Sequence, residues 1–366
     1  MQRAFIYVDN LGLGGFQRLA LDQAYALSDK GLTVHINVLS PAHTWVLADL
    51  EKDLIDSKNI TVNEIPSSRF RLIKNTYLQI KSIKNPLIIS HSLRSTFALR
   101  ISRLSRREAY TINTTIHQLP GLTDPVQRLK RFLYAQFSDR LFCFSGGVKL
   151  SWDNQFGNPI ATVLIRFTKQ ISVLRNGIYL DRLPTPVNQA KEIRRPRIVF
   201  LGRLAFWKGL DTIKKLSESK ELNDFDFMFI IPGSQNSIFE ELVKLLGNRA
   251  IVVEGKTVSS FVPMRGDVHI YPANYGSEVK IVESISLNCL EMTAIGVPSV
   301  VSSDGMVTWP EFMNSKFFSE VNWAIIPDVI SQILKLSSTN IEGSEISEAR
   351  ALISIENQLQ ELLKNK

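Results

Sequence analysis

Short runs of hydrophobic residues alternate with longer amphipathic stretches along the whole chain. The runs are strand-like, and in the first half they read AFIYV, TVHINVL, LIIS, AYTINTTI and RLFCFS. In the second half they read RIVFLG, DFMFIIPG, IVVEG, VHIYPA and PSVVSS. Between them, apolar residues recur at about 3.6-residue spacing, and the first such stretch ends at Gly31, where a helix C-cap belongs. This alternation predicts parallel sheets with helices on both faces.

A polar stretch divides the pattern in two. Residues 176–196 contain three prolines and show no periodicity, as is typical of a linker. The chain has 366 residues, which is too long for one ordinary core. We therefore predict an α/β protein of two doubly wound, Rossmann-like domains, residues 1–185 and 186–366, that face each other across a cleft. The last helix is expected to pack back on the first domain. Ligands of such sheets bind at the carboxyl ends of the strands, which makes the cleft the expected site.

Composition narrows the class of protein. The chain is 44% hydrophobic and 21% charged, as soluble globular proteins are. It has no apolar run of the roughly 20 residues that a membrane-spanning helix needs, and its first residues show no signal-peptide pattern. Cys143 and Cys289 stand in apolar contexts, so neither a disulfide framework nor a zinc site is expected. These features predict a cytoplasmic protein.

Positive charge is concentrated in the first half. Residues 1–190 carry 24 Lys or Arg against 13 Asp or Glu, and residues 69–107 hold ten basic residues and no acidic one. Such a field attracts nucleic acid, phosphorylated substrates or acidic lipid headgroups, although a solvated basic surface is a simpler explanation. We expect no nucleic-acid partner, because no recognised binding motif is present. The basic segments RFRLIKNTYLQIKSIKN and PVQRLKRFLYAQF suit either core packing or an anionic membrane surface, so a peripheral position on the inner face of the membrane stays open.

Two candidate cations follow a strand at the start of the second half, in FLGRLAFWKGLD. Gly202 permits a tight turn, after which Arg203 and Lys208 lie near the carboxyl end of the strand. Both side chains suit phosphate oxygens, and Gly209 lets the next helix begin close to the sheet. The alternative is a pair of surface cations on a loop.

Two glutamates stand eight positions apart in ESISLNCLE. Ser286 is a plausible N-cap for a helix over ISLNCLEMTAIG, which places Glu283 before the helix and Glu291 in its second turn. The amides around Ser286, Leu287 and Asn288 would then form an anion site between two carboxylates. That order matches the sugar, diphosphate and ribose of a nucleotide sugar. The alternative is two solvated glutamates at a helix end.

Taken together, these motifs resemble the retaining glycosyltransferases of family 4, which have the GT-B fold. The resemblance is carried by GLGGFQR, VLRNGI, GRLAFWKG, the glutamate pair and GVPSVVSSDG, in this order. It implies that residues 1–185 bind the acceptor and residues 186–366 the nucleotide-sugar donor. It also implies sugar transfer to an acceptor with retention at the anomeric carbon. The basic helices of the first half suggest a glycan or a lipid-linked glycan as that acceptor. Arg203 and Lys208 can neutralise the diphosphate, so no metal or other cofactor is expected.

The resemblance also implies roles for individual residues. Arg203 and Lys208 match the cations that hold the donor diphosphate, and Glu291 matches the carboxylate that binds the ribose. Glu283 matches the glutamate at the transferred sugar, and His117 resembles a histidine that contacts that sugar. Both are the expected catalytic residues, although His117 could instead fill a polar gap at a strand end.

Two further assignments concern the first half of the chain. Gly14 and Gly15 match the glycine loop that closes over the diphosphate and the acceptor. His91 is a weak candidate for contact with the acceptor, and a structural role fits it equally well.

The chain also departs from the family pattern. Ser284 and Ile285 follow the first glutamate, where the family often has Gly and Phe, and Glu278 lies close enough to compete for the role of Glu283. The pair Asp224 and Asp226 looks like the metal motif of the other glycosyltransferase fold, but it precedes a core strand, so we do not expect a metal there. A GT-B enzyme of another reaction, such as an epimerase or phosphorylase, and a non-catalytic nucleotide-sugar scaffold remain as rival hypotheses.

Overall fold

The chain divides into two compact units. The computed structural model describes residues 2–12, 14–65, 68–104, 110–116, 133, 137–143, 171–186, 195–204, 208–231, 237–255, 257–272, 286–302, 310–312 and 315–363. The first unit comprises Met1–Tyr179 and Ile355–Lys366, and the second comprises Leu180–Ser354.

The first unit is built on a parallel sheet with the strand order β3-β2-β1-β4-β5-β6-β7. Its strands are β1 (Arg3–Val8), β2 (Thr33–Val38), β3 (Ile60–Glu64), β4 (Leu87–Ser90), β5 (Ile112–Ile116), β6 (Arg140–Cys143) and β7 (Ile171–Val173). Its described helices are α1 (Gly15–Asp29), α2 (Val46–Leu50), α3 (Lys52–Asp56), α4 (Arg69–Ile80), α5 (Leu93–Leu104) and the C-terminal α11 (Ile355–Leu363).

The second unit contains a parallel sheet with the order β10-β9-β8-β11-β12-β13. The strands are β8 (Arg197–Leu201), β9 (Asp226–Ile231), β10 (Ala250–Glu254), β11 (Val268–Ile270), β12 (Ser299–Ser302) and β13 (Phe318–Val321). The described helices are α6 (Leu210–Ser217), α7 (Ser237–Leu246), α8 (Leu287–Ala294), α9 (Ile326–Ser337) and α10 (Gly343–Ile353).

Both faces of the second sheet are covered. Along β8, Ile198 and Phe200 belong to one buried cluster, whereas Val199 and Leu201 belong to another. Because successive side chains of a strand point to opposite faces, a strand buried on both sides reads as an unbroken hydrophobic run. This is why the central strands were predictable from the sequence, and the predicted α/β class with parallel sheets is confirmed.

Three strands were missed, and all three lie at sheet edges. β3 and β7 end the first sheet, and β13 ends the second. β3 alternates between half-buried and exposed residues, β7 has three residues, and β13 has a half-buried and an exposed residue at its centre. Edge strands are short and partly exposed, so they lack the hydrophobic run that marks a central strand.

The C-terminal helix α11 belongs to the first unit. The Ile355 amide donates to the Ile178 backbone oxygen at 2.9 Å, and a Cβ on Gly177 would approach Ile355 Cα to 2.6 Å. At the other end, the Arg140 guanidinium donates to the backbone oxygens of Leu362 at 2.7 Å and Glu361 at 3.1 Å. A cation at a helix C-terminus is favourable because the exposed carbonyls there carry partial negative charge.

Two findings bear on the wider class of the protein. Among the described residues, no helix combines the length and the apolar character needed to cross a bilayer. Cys143 and Cys289 are both buried, and no disulfide joins them.

A matched pair of glycine substitutions tests how closely the second unit is packed. Gly209 and Gly247 both have positive φ, at 74° and 56°. A Cβ at Gly209 would overlap the Pro272 backbone oxygen, whereas a Cβ at Gly247 meets nothing within 4 Å. We expect Gly247→Ala to lower the free energy of unfolding by about 1–2 kcal/mol, the ordinary cost of a left-handed alanine. Gly209→Ala should cost about 2–5 kcal/mol, because overpacking adds to it.

Urea unfolding of both variants measures the difference. Equal losses would show that the approach of residue 209 to Pro272 is not constrained.

Candidate functional site

The N-terminus of helix α8 forms the centre of the candidate site. Ser286 is its N-cap, and the Ser286 hydroxyl accepts from the Asn288 amide at 3.3 Å. The predicted N-cap is therefore confirmed. The first turn of the helix contains no acidic residue. Since a helix N-terminus carries partial positive charge, this end of α8 is electrostatically suited to an anion.

Helix α8 is held against the end of strand β8. Asn288 Nδ2 donates to the backbone oxygen of Leu201 at 2.6 Å. Gly202 follows with φ +133°, and a Cβ there would lie 3.1 Å from Asn288 Nδ2. The chain can therefore turn beside the helix only with a small residue at this position. Arg203 comes directly after the turn and is exposed.

Lys208 lies between β8 and α6, and its amine contacts the end of the neighbouring strand, β11. Its Nζ donates to the Tyr271 hydroxyl at 2.6 Å and lies 4.3 Å from the centre of the Tyr271 ring. Tyr271 follows β11, and its amide donates to the Val300 backbone oxygen on β12. The tyrosine thus fixes the position of the lysine. Both predicted cations follow β8, and the amine of Lys208 is held beside the end of β11. Sequence reasoning missed Tyr271, because the contact depends on the pairing of β8 with β11.

Glu291 is buried and paired with an arginine that the sequence analysis did not single out. The Arg182 guanidinium donates to Glu291 Oε1 at 2.6 Å, and the two residues are 6% and 4% exposed. Glu291 lies in the second turn of α8, as predicted. A buried carboxylate requires a compensating cation, which is the physical signal that could have prompted a search for Arg182. The ribose-binding role of Glu291 stays a prediction.

A histidine lies in the wall of the same region. His269, on β11, is fully buried, and its Nδ1 lies 2.9 Å from the Ser299 hydroxyl. Among the residues that the structure describes, its Nε2 has no hydrogen-bond partner. Burial, with a smaller contribution from the Lys208 charge, lowers the pKa of His269 to about 3. The ring is therefore neutral at pH 7, and it is a polar group that the sequence analysis did not identify.

In the first unit, the glycine loop leads into helix α1. Gly14 is the N-cap residue with extended φ of −166°, and a Cβ there would overlap Gln17 Oε1. Gln17 Nε2 donates to Asn10 Oδ1 at 2.7 Å, and Asn10 Oδ1 also accepts from the Gly12 amide at 3.1 Å. Gly15 is the first residue of α1. The loop after β1 is therefore tightly folded around Asn10.

His91 is part of a buried chain of hydrogen bonds in which every donor points the same way. Gln358 Nε2 donates to the Arg175 backbone oxygen at 2.9 Å, and Gln23 Nε2 donates to Gln358 Oε1 at 3.0 Å. His91 Nε2 then donates to Gln23 Oε1 at 3.0 Å, and the Thr115 hydroxyl donates to His91 Nδ1 at 2.5 Å. Because both ring nitrogens are engaged, the geometry favours the structural alternative for His91 over contact with an acceptor.

Three of the predicted site residues cannot be placed. Glu283, its competitor Glu278 and His117 lie outside the described residues, so their roles stay predictions. Within the part of the chain that the structure describes, no group of three or more His, Cys, Asp or Glu is arranged to hold a metal ion. Asp226 begins β9, and its carboxylate lies 3.5 Å from an Arg195 guanidinium nitrogen.

Comparison with known proteins identifies the fold. No protein-family model matches this sequence, and no curated protein matches it. Solved structures do. Sucrose-phosphate synthase from Thermosynechococcus elongatus is 14% identical with a TM-score of 0.67, and 99% of this chain and 97% of that one are covered. The chain has the GT-B fold.

Two other structures with this fold were determined with ligands. Anabaena HepE in complex with UDP and glucose is 12% identical with a TM-score of 0.68, covering 99% of this chain and 98% of HepE. The catalytic domain of starch synthase IV from Arabidopsis thaliana, bound to ADP and acarbose, is 13% identical with a TM-score of 0.64, covering 99% and 98%. At such identities the likeness shows the fold, and the activity must be argued from the residues.

The two buried histidines predict how stability depends on pH. Burial lowers the pKa of His91 and of His269 to about 3, below the unfolded value near 6.5. Between these values the unfolded chain binds a proton that the folded chain does not, so stability falls as the pH drops below about 6.5. We expect each histidine to remove about 1.4 kcal/mol between pH 7.5 and 5.5.

Chemical unfolding at the two pH values checks this expectation. His91→Gln and His269→Gln should each reduce this loss of stability by about 1.4 kcal/mol. In each variant, the number of protons taken up on unfolding at pH 5.5 should fall by about one. A loss that is unchanged in both variants would contradict the assignment.

Proposed function

We propose that the protein is a glycosyltransferase that moves a sugar from a nucleoside-diphosphate sugar to an acceptor hydroxyl. The observation that carries the proposal is the capped N-terminus of α8, which Asn288 joins to the end of β8. Arg203 and Lys208 both follow β8, and Tyr271 holds the Lys208 amine. The GT-B fold supports it, since HepE and starch synthase IV carry a nucleoside diphosphate in their structures.

The donor diphosphate would bind where positive charge converges in the second unit. The amides of the first turn of α8 face its phosphate oxygens, and the side chains of Arg203 and Lys208 supply two full charges. Lys208 is held in place by Tyr271, which reduces the cost of ordering it on binding. These groups neutralise the diphosphate without calling on a metal ion, so the proposal assigns no role to one.

In the reaction, the bond between the anomeric carbon and the diphosphate oxygen breaks, and the acceptor oxygen bonds to that carbon. Negative charge develops on the departing diphosphate, and the cations and amides that bind it stabilise that charge in the transition state. The proton of the acceptor hydroxyl passes to the leaving phosphate oxygen. The resemblance to family 4 supports retention of configuration, with Glu283 and His117 at the transferred sugar.

Glu291 and Arg182 suit the ribose end of the donor. Arg182 engages one carboxylate oxygen, which fixes the orientation of Glu291 and leaves the other oxygen to accept from a ribose hydroxyl. The position in the second turn places Glu291 about one turn beyond the phosphate-binding amides, or roughly 5 Å along the helix. This spacing suits a ribose next to a diphosphate.

The acceptor is proposed to be a glycan or lipid-linked glycan, and helix α4 supports attachment to an anionic membrane surface. Phe70 is 89% exposed. Lys74 lies on the same face as Phe70, and Lys81 is the C-cap residue of the helix. This combination of exposed apolar and basic side chains is typical of interfacial helices. Not all of the basic stretch can contribute, because Arg100 and Arg103 both pair with Asp139.

The cation assignment predicts a specific loss in donor binding. Lys208→Met keeps an unbranched aliphatic side chain and removes the charge, so it should weaken binding of UDP or ADP and slow transfer. A charge-assisted hydrogen bond is worth about 1.5–3 kcal/mol, or about 10- to 150-fold. Lys215→Met, at an exposed lysine of α6, is the matched control and should behave as wild type.

Calorimetry of UDP and ADP binding and turnover with the matching nucleotide sugars measure the effect. Wild-type turnover with methionine at both position 203 and position 208 would overturn the assignment.

The membrane proposal predicts binding to anionic vesicles. Each cation near the surface contributes about 1 kcal/mol, so Arg71→Glu, Lys74→Glu and Lys81→Glu together should weaken binding at least 100-fold. Vesicles with roughly 30% phosphatidylglycerol carry a negative surface potential and should bind the wild type. Vesicles of phosphatidylcholine should not bind it, and high salt should reduce the binding to anionic vesicles. The control is the triple charge reversal of Lys215, Lys220 and Lys335 in the second unit.

Co-sedimentation reads out all combinations. Equal binding to both lipid mixtures would indicate apolar insertion by Phe70, and binding to neither would remove the membrane from the proposal.

A further inference from the structure

An open pocket of about 490 Å³ lies on the first unit. It shares no residue with the candidate donor site of the second unit. Its volume falls in the range of small-molecule sites, about 300–1,000 Å³. Six of the nine residues that line it are polar or charged, namely Arg3, His35, Asn63, Glu64, Asn75 and Gln79.

The pocket forms where helix α4 meets the edge of the sheet. Phe5 on β1 pairs in register with His35 on β2, and β3, which carries Asn63, is the edge strand. Leu72 of α4 packs in the same buried cluster as Phe5. Beyond that contact, the C-terminal half of α4 stands beside the face of β2 and β3, and its side chains form the second wall.

On the helix wall of the pocket, hydrogen bonds to two buried residues of the sheet hold Gln79 in place. Gln79 Nε2 donates to Asn37 Oδ1 at 3.1 Å, and the Tyr7 hydroxyl donates to Gln79 Oε1 at 3.4 Å. Asn37 and Tyr7 are fully buried. Burial raises the pKa of Tyr7 well above its usual value, so its hydroxyl keeps the proton that it donates. Gln79 is therefore fixed before any ligand arrives.

The formal charges at the pocket cancel. Arg3 supplies one positive charge, and Glu64, whose Oε2 accepts from the Ala42 amide at 2.9 Å, supplies one negative charge. Burial first, and the charge of Arg3 second, lower the pKa of His35, so its ring is neutral at pH 7. An anion would gain from Arg3 and lose to Glu64, which favours a neutral ligand.

The remaining groups match a sugar ring. The carboxamides of Asn63 and Asn75 each present donors and an acceptor. Gln79, whose Nε2 and Oε1 already bond to Asn37 and Tyr7, keeps one further N–H to donate. A sugar hydroxyl both donates and accepts. The rings of Phe5 and His35 are stacked with centroids 5.1 Å apart at 21°. Together with Leu78, which is 45% exposed, His35 offers an apolar surface to the C–H face of a sugar.

We propose that this pocket binds one ring of a neutral saccharide. Its identification with a remote part of the acceptor glycan rests on the proposed transferase function, whereas saccharide binding itself does not.

NMR of the histidine C2–H groups in the full chain tests the proposal. The chain has five histidines, so the spectrum is simple, and His35→Gln assigns the resonance of interest. Glucose, galactose, N-acetylglucosamine and methyl α-mannoside are titrated, with glucose 6-phosphate as the anionic comparison. At least one neutral sugar should shift the His35 resonance to saturation. Glucose 6-phosphate should bind no more tightly than glucose.

Asn63→Ala and Asn75→Ala should each weaken the binding about 3- to 10-fold, the effect of one lost hydrogen bond. Asn340→Ala, at an exposed asparagine of the second unit, should leave it unchanged. The absence of any His35 shift, full affinity in both pocket variants, or tighter binding of glucose 6-phosphate would overturn the proposal.

Titration of the same samples with UDP, ADP, GDP and dTDP separates this inference from the proposed function. Nucleotide binding without saccharide binding overturns the pocket alone. Saccharide binding at His35 without nucleotide binding upholds the pocket and removes the transferase.

Discussion

The hydrogen bond from Asn288 Nδ2 to the Leu201 backbone oxygen is the contact on which the candidate site depends. It joins the first turn of helix α8 to the end of strand β8, across 87 positions of sequence. Because the chain turns at Gly202 directly afterwards, the same bond places Arg203 beside the helix N-terminus. The partial charge of the helix and the full charge of the side chain therefore act on one region, which neither element could achieve alone.

The buried pair of Arg182 and Glu291 is explained better by the site than by stability. Removing two charges from water costs several kcal/mol per ion, and replacing such a pair by apolar residues is often neutral or stabilising. Both residues are almost fully buried, so the desolvation cost applies in full. What the pair supplies is a carboxylate of fixed orientation, one turn from the anion-binding amides. A ligand that binds along α8 would use that geometry.

Much of this could be predicted from local sequence patterns, and the rest could not. The central strands, the N-cap at Ser286 and Gly31, which follows the C-cap residue of α1, each depend on residues close together in the chain. Arg182 and Tyr271 were missed because a contact across the fold gives each its position. The pocket in the first unit was missed for a similar reason, since it depends on the register of β2 with β1 and on which strand forms the edge.

Net charge along the sequence is a poor guide to what the first unit binds. Arg100 and Arg103 stand in a stretch without acidic residues, yet both pair with Asp139, which lies 39 and 36 positions further along. The surface of helix α4 also differs in chemistry from one face to the next. Phe70 and Lys74 share one face, whereas Asn75 and Gln79 line the pocket. Successive residues of a helix point in directions about 100° apart, so neighbouring positions such as 74 and 75 lie on different faces. The basic face suits an anionic surface and the carboxamide face suits neutral hydroxyls. The two proposals therefore concern different faces of one helix, because the side chains of each face, rather than the summed charge of the segment, set its chemistry.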